Sequence, residues 1–303
     1  MNKIYDTVII GMGMAGLTAA VFIARANLKT IIFGKINNSM LINAEAIGNY
    51  LGTDELSGKE LLEKGVKQAK KYGAKIIEKE IIHAVKKSKT FSVKTEDGEI
   101  YNSKTLIIAS GVALKPSGIV NEKVFLGKGV HTCVACDGYF YKNKNVAVIG
   151  NKSYAAEEAI QLLALTKNIT MISNADKFEI PQKFMKEIKG KVKFLNAEVN
   201  EFEGNKFLEN IKLNNNKKLN FDGAFLALGT ATSLAFCEKL GLEKKNNLII
   251  VDNEGKTSVE MVYAAGACIG GNLQVAKSVG DGCNAGIGII KKLKGLSSYS
   301  DLS

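Results

Sequence analysis

A short apolar run, a glycine turn, apolar residues at helical spacing and a second apolar run follow one another twice along the chain. The first copy is residues 7–34, "TVIIGMGMAGLTAAVFIARANLKTIIFG"; the second is residues 146–173, "VAVIGNKSYAAEEAIQLLALTKNITMIS". Both read strand, turn, helix, strand. They superpose without a gap at an offset of 139, with Gly11 on Gly150, Gly13 on Lys152, Gly16 on Ala155 and Gly34 on Ser173. The second helix is expected from about Ala155. After each copy comes an alternating hairpin pattern, "FSVKTEDGEIYN" turning at Asp97-Gly98 and "LENIKLNNNKKLNF" turning in its asparagine run. Each then closes in an apolar strand, residues 105–111 and 223–229. A last strand, "MVYAAGA", and a helix from about Gln274 complete the chain.

Buried strands alternating with amphipathic helices predict an α/β fold of two Rossmann-like, three-layer domains, the second inserted into the first. The expected boundaries are 1–112 plus 230–303 for the outer domain and 113–229 for the central one. A length of 303 residues, with 46% hydrophobic and 23% charged residues, suits two such cores. No apolar run approaches the roughly 18 residues of a membrane span. The chain enters a strand almost at its first residue, so a soluble cytoplasmic protein without a signal peptide is expected.

Charge changes the picture only slightly. The net charge of +11 divides as +5 over residues 1–113, +5 over 114–229 and +1 over 230–303, so it belongs to the folded body. Arg25 is the only arginine. A lysine-rich composition without interleaved aromatics argues against nucleic acid. It leaves open either plain compositional bias or a surface that steers an acidic partner.

Candidate chemistry sits at three places. Gly11-Met12-Gly13-Met14-Ala15-Gly16 is a complete G-x-G-x-x-G between strand and helix. Its spacing lets a backbone approach a pyrophosphate at a helix N-terminus. The acidic residue expected some 20 positions on, to hold a ribose, is missing; Gly34 and Lys35 stand there. In the second copy Lys152 replaces the middle glycine, and the bulky Tyr154 is expected to crowd the same mouth. Neither an acidic residue at Ser173 nor an arginine is available for an NAD or NADPH ribose, although Lys177 could attract phosphate. The alternatives are a retained scaffold without its nucleotide or a divergent nucleotide site. Third, "GVHTCVACDGYFYKNK" carries Cys133 and Cys136 as a Cys-x-x-Cys, followed by Asp137. That spacing suits a redox disulfide, one thiolate attacking and the other resolving. A zinc site lacks its second ligand pair, with only His83 and His131 elsewhere. Asp137 could protonate a leaving thiolate, and His131 either lowers a thiol pKa or simply packs. Cys237, Cys268 and Cys283 are expected in the core.

The segments Gly11–Gly16, "ASG" (109–111), "CVACDGYFY" (133–141), "AEEA" (156–159), "AAGA" (264–267) and "GDGCNAG" (280–286) together closely resemble the low-molecular-weight thioredoxin reductases. The resemblance implies an FAD domain, an inserted domain carrying the redox disulfide, a thioredoxin partner and a homodimer. It also implies roles. Cys136 would be the flavin-proximal sulfur, Cys133 the thiol that attacks thioredoxin and Asp137 the proton donor. FAD would be held by Gly11, Gly13, Met14, Ala15, Gly16, Gly34 and Lys35 on one side and by Gly266, Ala267, Gln274 and Val275 on the other. Asn49 would lie beside the isoalloxazine, and Ile82 would meet the adenine through its backbone. Ala267 departs from the family's usual aspartate. With the nucleotide turn altered and no arginine cluster, the chain is most similar to the ferredoxin-dependent flavin thioredoxin reductases of clostridia. These take electrons from an acidic ferredoxin. An NAD(P)H-dependent reductase with a divergent site is the alternative, and a degenerate flavoprotein acting as a redox-responsive binding module is another.

Overall fold

A computed structural model describes residues 4–111, 117–174, 177–229 and 233–300. The chain forms two compact units: Met1–Thr95, Glu99–Ala113 and Thr232–Ser303 make the first, Glu96–Gly98 and Leu114–Ala231 the second. The expected junctions at 112/113 and at 230 lie outside the described residues.

The first unit is an α/β layer built on parallel strands Lys75–Ile77, Thr30–Phe33, Ile4–Ile10 and Ile100–Ile108, in that spatial order. Val262–Ala264 pairs parallel with Ile100–Ile108, while Thr90–Thr95 and Ile81–Lys87 add an antiparallel edge. Strands buried on both faces read as unbroken apolar runs, and Val8, Ile9, Ile31, Ile32, Ile107 and Ile108 are fully buried. The helices Met14–Arg25 and Val275–Lys294 pack closely because one lacks side chains where the other approaches. A Cβ at Gly282 would stand 2.2 Å from the Ala15 carbonyl oxygen. Tyr299 packs against this core.

The second unit repeats the plan with parallel strands Lys193–Leu195, Ile169–Ile172, Val146–Ile149, Gly223–Leu226 and Val130–His131. A separate antiparallel meander, Val199–Glu203, Asn210–Leu213 and Lys218–Asn220, contains the hairpin expected in the asparagine run. The sequence repeat is a repeat of bonds. Gly11 N–H donates to Phe33 O at 2.8 Å, as Gly150 N–H does to Ile172 O. Ala109 N–H reaches Ile10 O as Ala227 N–H reaches Ile149 O. The helix expected from Ala155 begins earlier, at Ser153, because Lys152 takes the extended cap conformation that Gly13 takes in the first unit.

One buried group in the first unit has a consequence for stability. His83, in the Ile81–Lys87 strand, keeps its Nδ1 buried without a hydrogen-bond partner. Burial, then Lys239 and Lys94, push its pKa from 6.5 down to about 4. The unfolded chain therefore takes up this proton first as pH falls. Stability present above about pH 6.5 is lost toward about pH 4, on the order of 3 kcal/mol from this group. Urea midpoints at about pH 7 and about pH 4 should differ less in His83→Leu than in the parent.

Candidate functional site

The G-x-G-x-x-G of the first unit contains glycines of two kinds. Gly11 has φ +111°, and a Cβ there would lie 2.2 Å from Ala109 O; one at Gly16 would lie 2.0 Å from Gly11 O. The fold itself requires these two. Gly13 is different: its φ of −79° and ψ of −179° suit any residue, and the nearest atom to an added Cβ is Ser39 Oγ at 3.9 Å. Its missing side chain leaves a cradle open above the helix N-terminus. The Met14–Arg25 helix has no acidic residue in its first turn and no side-chain cap, so the positive end of its dipole is not neutralised locally. Met14, Ala15 and Gly16 form that first turn. Gly34, φ +147°, brings the second strand against Met12, and Lys35 caps the short turn that follows.

Across this unit the remaining expected residues come together in part. Asn49 Nδ2 donates to Gln274 Oε1 at 3.0 Å, joining two exposed residues 225 positions apart. Gln274 is the N-cap of the long helix that Val275 opens, and this helix too has no first-turn acid. The pairing of the two edge strands shifts register between Ile81 and His83, so Ile82 sits at a bulge. A bulged residue leaves the ladder, and its backbone is available to another partner. Ser110 Oγ is buried without a partner, one residue from the Ala109 that abuts Gly11.

Gly266, at φ +85°, would bring a Cβ within 2.9 Å of Ala15 Cβ. Its N–H donates to Asp281 Oδ2 at 3.0 Å. Lys277 pairs with Asp281 at 2.7 Å and donates to the carbonyls of Gly266 and Gly270. The next helix thus fixes the Gly266 turn through Asp281 and Lys277. Sequence reasoning missed Asp281 and Lys277, although their i, i+4 spacing after "AAGA" was a visible signal.

In the second unit Cys133 and Cys136 are joined in a disulfide with Cα atoms 5.5 Å apart. Cys133 caps the single helical turn Val134–Asp137. Cys133 is buried, whereas Cys136 is exposed. Two residues of the Ser153–Leu162 helix hold this turn from one side. Tyr154 Oη donates to Thr132 O at 3.0 Å, and buried Glu158 accepts the Val134 N–H at 2.8 Å. Tyr154 is therefore a brace for the disulfide, 3% exposed, which corrects the expectation that it crowds a nucleotide mouth. Residues four apart share a helix face, so Glu158 lies on the same side as Tyr154.

On its other side the redox turn meets His131. The imidazole contacts Tyr141 Oη through Nε2 at 2.7 Å and Asp137 Oδ2 through Nδ1 at 3.0 Å. Burial, then the charges of Asp137 and Asp222, raise the Tyr141 pKa, so its phenol stays protonated and donates to Nε2. The neutral imidazole then carries its proton on Nδ1 and gives that hydrogen bond to Asp137. Gly223 makes room for this: a Cβ there would lie 2.2 Å from the Tyr141 ring. Of the three other cysteines, Cys237 and Cys268 are buried, but Cys283 is only half-buried; burial holds the Cys268 thiol at about 12.

The second glycine turn keeps its shape. Lys152 adopts φ −120° and ψ −172°, and its ammonium lies 3.4 Å from Glu179 Oε2. Glu179 N–H donates to Asn151 O at 2.7 Å, and Asn151 Nδ2 donates to Lys177 O at 3.2 Å. The segment after the second strand is thus fastened across the turn. Lys177, considered as a phosphate ligand, contributes its backbone to that closure.

A family model described as pyridine nucleotide-disulphide oxidoreductase matches residues 5–282. The thioredoxin reductase of Bacillus subtilis (strain 168) is 32% identical, with 93% of this chain and 92% of that protein covered. The chain belongs to the thioredoxin reductase family. The reductase also matches solved structures over nearly its full length. It is similar to the atypical thioredoxin reductase TRi from Desulfovibrio vulgaris Hildenborough, with a TM-score of 0.90 and 33% identity, covering 97% of this chain and 100% of the other. A ferredoxin-flavin thioredoxin reductase from Clostridium acetobutylicum gives a TM-score of 0.70 at 29% identity, covering 96% and 98%. The reductase is accordingly an FAD-dependent disulfide oxidoreductase. The open cradle at Gly13, two helix N-termini without acidic residues and the unpartnered Ser110 hydroxyl fit an anionic, hydroxyl-rich cofactor. Among the described residues no helix is long and apolar enough to cross a membrane.

Proposed function

We propose that this reductase takes electrons from a reduced ferredoxin and passes them through FAD and the Cys133–Cys136 disulfide to thioredoxin. The first unit would bind FAD through Gly11, Gly13, Met14, Ala15, Gly16, Gly34, Lys35, Asn49, Ile82, Gly266, Ala267, Gln274 and Val275. The second would carry the redox chemistry with Cys133, Cys136 and Asp137. Bound FAD supplies the conversion between one-electron arrivals and a two-electron thiol–disulfide step.

The observation that carries the choice of donor is the closed second turn. Where a pyridine nucleotide would need bare backbone at a helix N-terminus, Lys152 is paired with Glu179 and the 177–179 segment is bonded to Asn151. Ferredoxin suits the energetics as well. Plant-type ferredoxins lie near −400 mV and thioredoxin near about −270 mV, so two electrons fall by roughly 130 mV, or about 6 kcal/mol. The body charge of +11 matches an acidic donor. Tyr139 and Phe140, 72% and 69% exposed and three and four residues after Cys136, offer apolar contact to a thioredoxin. The homodimer is carried in the proposal from the family likeness.

Anaerobic mixing with NADPH, NADH and reduced ferredoxin, followed at the flavin band near about 450 nm, tests the reading. Ferredoxin alone should bleach the flavin, and added thioredoxin should then gain thiols. Lys152→Gly should still fail to oxidise NADPH, because no arginine is present to hold a 2′-phosphate. The second reading, a divergent NAD(P)H site, draws on the turn's retained backbone; rapid bleaching by NADPH would establish it instead.

A further inference from the structure

Asp137 is an awkward proton donor by itself. Carboxyls as a class are ionised near neutral pH, whereas imidazole is the side chain that ordinarily exchanges its proton there. In this chain the two groups are in contact. His131, 8% exposed, lies 3.0 Å from Asp137 through Nδ1 and 2.7 Å from Tyr141 Oη through Nε2, with Phe225 against its ring. Both ring nitrogens are occupied, so the imidazole has one orientation. Gly223 provides the space for the tyrosine that enforces it.

We propose that His131 is a positioning residue that holds a proton for Asp137, so that the pair, and not the carboxyl alone, protonates the thiolate released from the Cys133–Cys136 disulfide. This rests on the reading of Asp137 as the proton donor. The balance is simple. As a reductant thiolate bonds to one sulfur, the S–S bond breaks and its electron pair leaves on the other sulfur. That thiolate takes a proton from Asp137. Asp137 enters the step as a carboxylate hydrogen-bonded to a protonated His131, so the proton it passes on comes from Nδ1, leaving a neutral imidazole and a carboxylate. The proton left on the ring is the one on Nε2, so Tyr141 Oη accepts a hydrogen bond from Nε2–H before the step and directly after it; the tautomer in which Tyr141 donates to Nε2 returns by later proton exchange with solvent. The charged and titratable groups around the pair are Asp137 and Tyr141 in contact, Asp222 and Lys144 at the Tyr141 ring, and Glu158 at the Val134 N–H.

The test uses the oxidised holoprotein and dithiothreitol, whose two thiols reduce the disulfide and close into a cyclic disulfide, so no external electron donor enters. Rates are divided by the reagent's thiolate fraction at each pH. In the parent, this normalised rate should fall as pH rises through the imidazole range. Asp137→Asn should lower it about 100-fold and His131→Gln about tenfold with loss of that pH dependence. The double variant should be no slower than Asp137→Asn, because His131 acts through Asp137. Additive losses, or an unchanged pH profile in His131→Gln, would overturn the role of His131. An unaffected Asp137→Asn would instead remove the donor reading beneath it. Should His131→Gln fail to fold, Tyr141→Phe keeps the ring and removes only the phenol. It should slow the step severalfold with the pH dependence retained; an unchanged rate would count against the proposal.

Discussion

Cys133→Ser should abolish thioredoxin reduction, by roughly 10⁴-fold or more, while the flavin is still reduced by its donor. Loss of one sulfur leaves no Cys133–Cys136 disulfide to take up two electrons, but it leaves the cofactor cradle of the first unit intact. In the parent the Cys133 sulfur is bonded to Cys136, and Cys237, Cys268 and Cys283 are the free cysteines. The variant therefore gains one thiol, on exposed Cys136, and thiol titration of the folded protein should find it. Absorbance at the flavin band and thioredoxin thiol release, read on the same sample, separate the two half-reactions. Turnover surviving at even a tenth of the parent rate would reverse the assignment of the attacking sulfur. The buried position of Cys133 adds a physical requirement: its sulfur must be uncovered before a protein disulfide can meet it.

Gly13→Lys should give a folded, colourless protein. At this position the backbone suits any residue and a Cβ meets nothing closer than 3.9 Å. The corresponding Lys152 of the second unit shows that the same turn accommodates a lysine in nearly the same conformation. On the proposed FAD site, lysine would remove the close approach of pyrophosphate to the helix N-terminus. FAD affinity should fall roughly 100-fold or more, nearly 3 kcal/mol at 1.4 kcal/mol per tenfold, with little change in the unfolding midpoint of the apoprotein. Gly11→Ala is the contrasting case. Its φ of +111° and the 2.2 Å approach to Ala109 O should cost roughly 2–6 kcal/mol through backbone strain and overpacking. That is a large part of a domain's usual stability of about 5–15 kcal/mol. Calorimetry of the two apoproteins and fluorescence titration with FAD distinguish them. A Gly13→Lys protein that stays yellow would mean the cofactor enters elsewhere.

What was legible in the chain was what short-range periodicity encodes. Unbroken apolar runs become strands buried on both faces. A glycine at a strand end becomes the turn, and the offset of 139 becomes the same backbone bond made at Gly11 and at Gly150. The Cys-x-x-Cys was equally visible, because a disulfide across two intervening residues needs only one helical turn. Tyr154 shows where such reading stops. Its place after a damaged glycine turn suggested obstruction, yet the side chain turns toward Thr132, 22 residues back. No local pattern could reveal that, because it depends on where two separate segments meet.

Local pattern thus sufficed for the α/β plan, the doubled strand–turn–helix unit and the residue types available for flavin and disulfide chemistry. Tertiary structure alone decided their partners. It set Asp281 on Gly266, Asn49 on Gln274, His131 between Asp137 and Tyr141, and Glu179 across the turn at Asn151. The physical reason is one of range. Helix and strand periodicity follow from neighbours a few residues apart. Partners 6 to 225 positions apart meet only after strand register and helix packing have been chosen by the whole core.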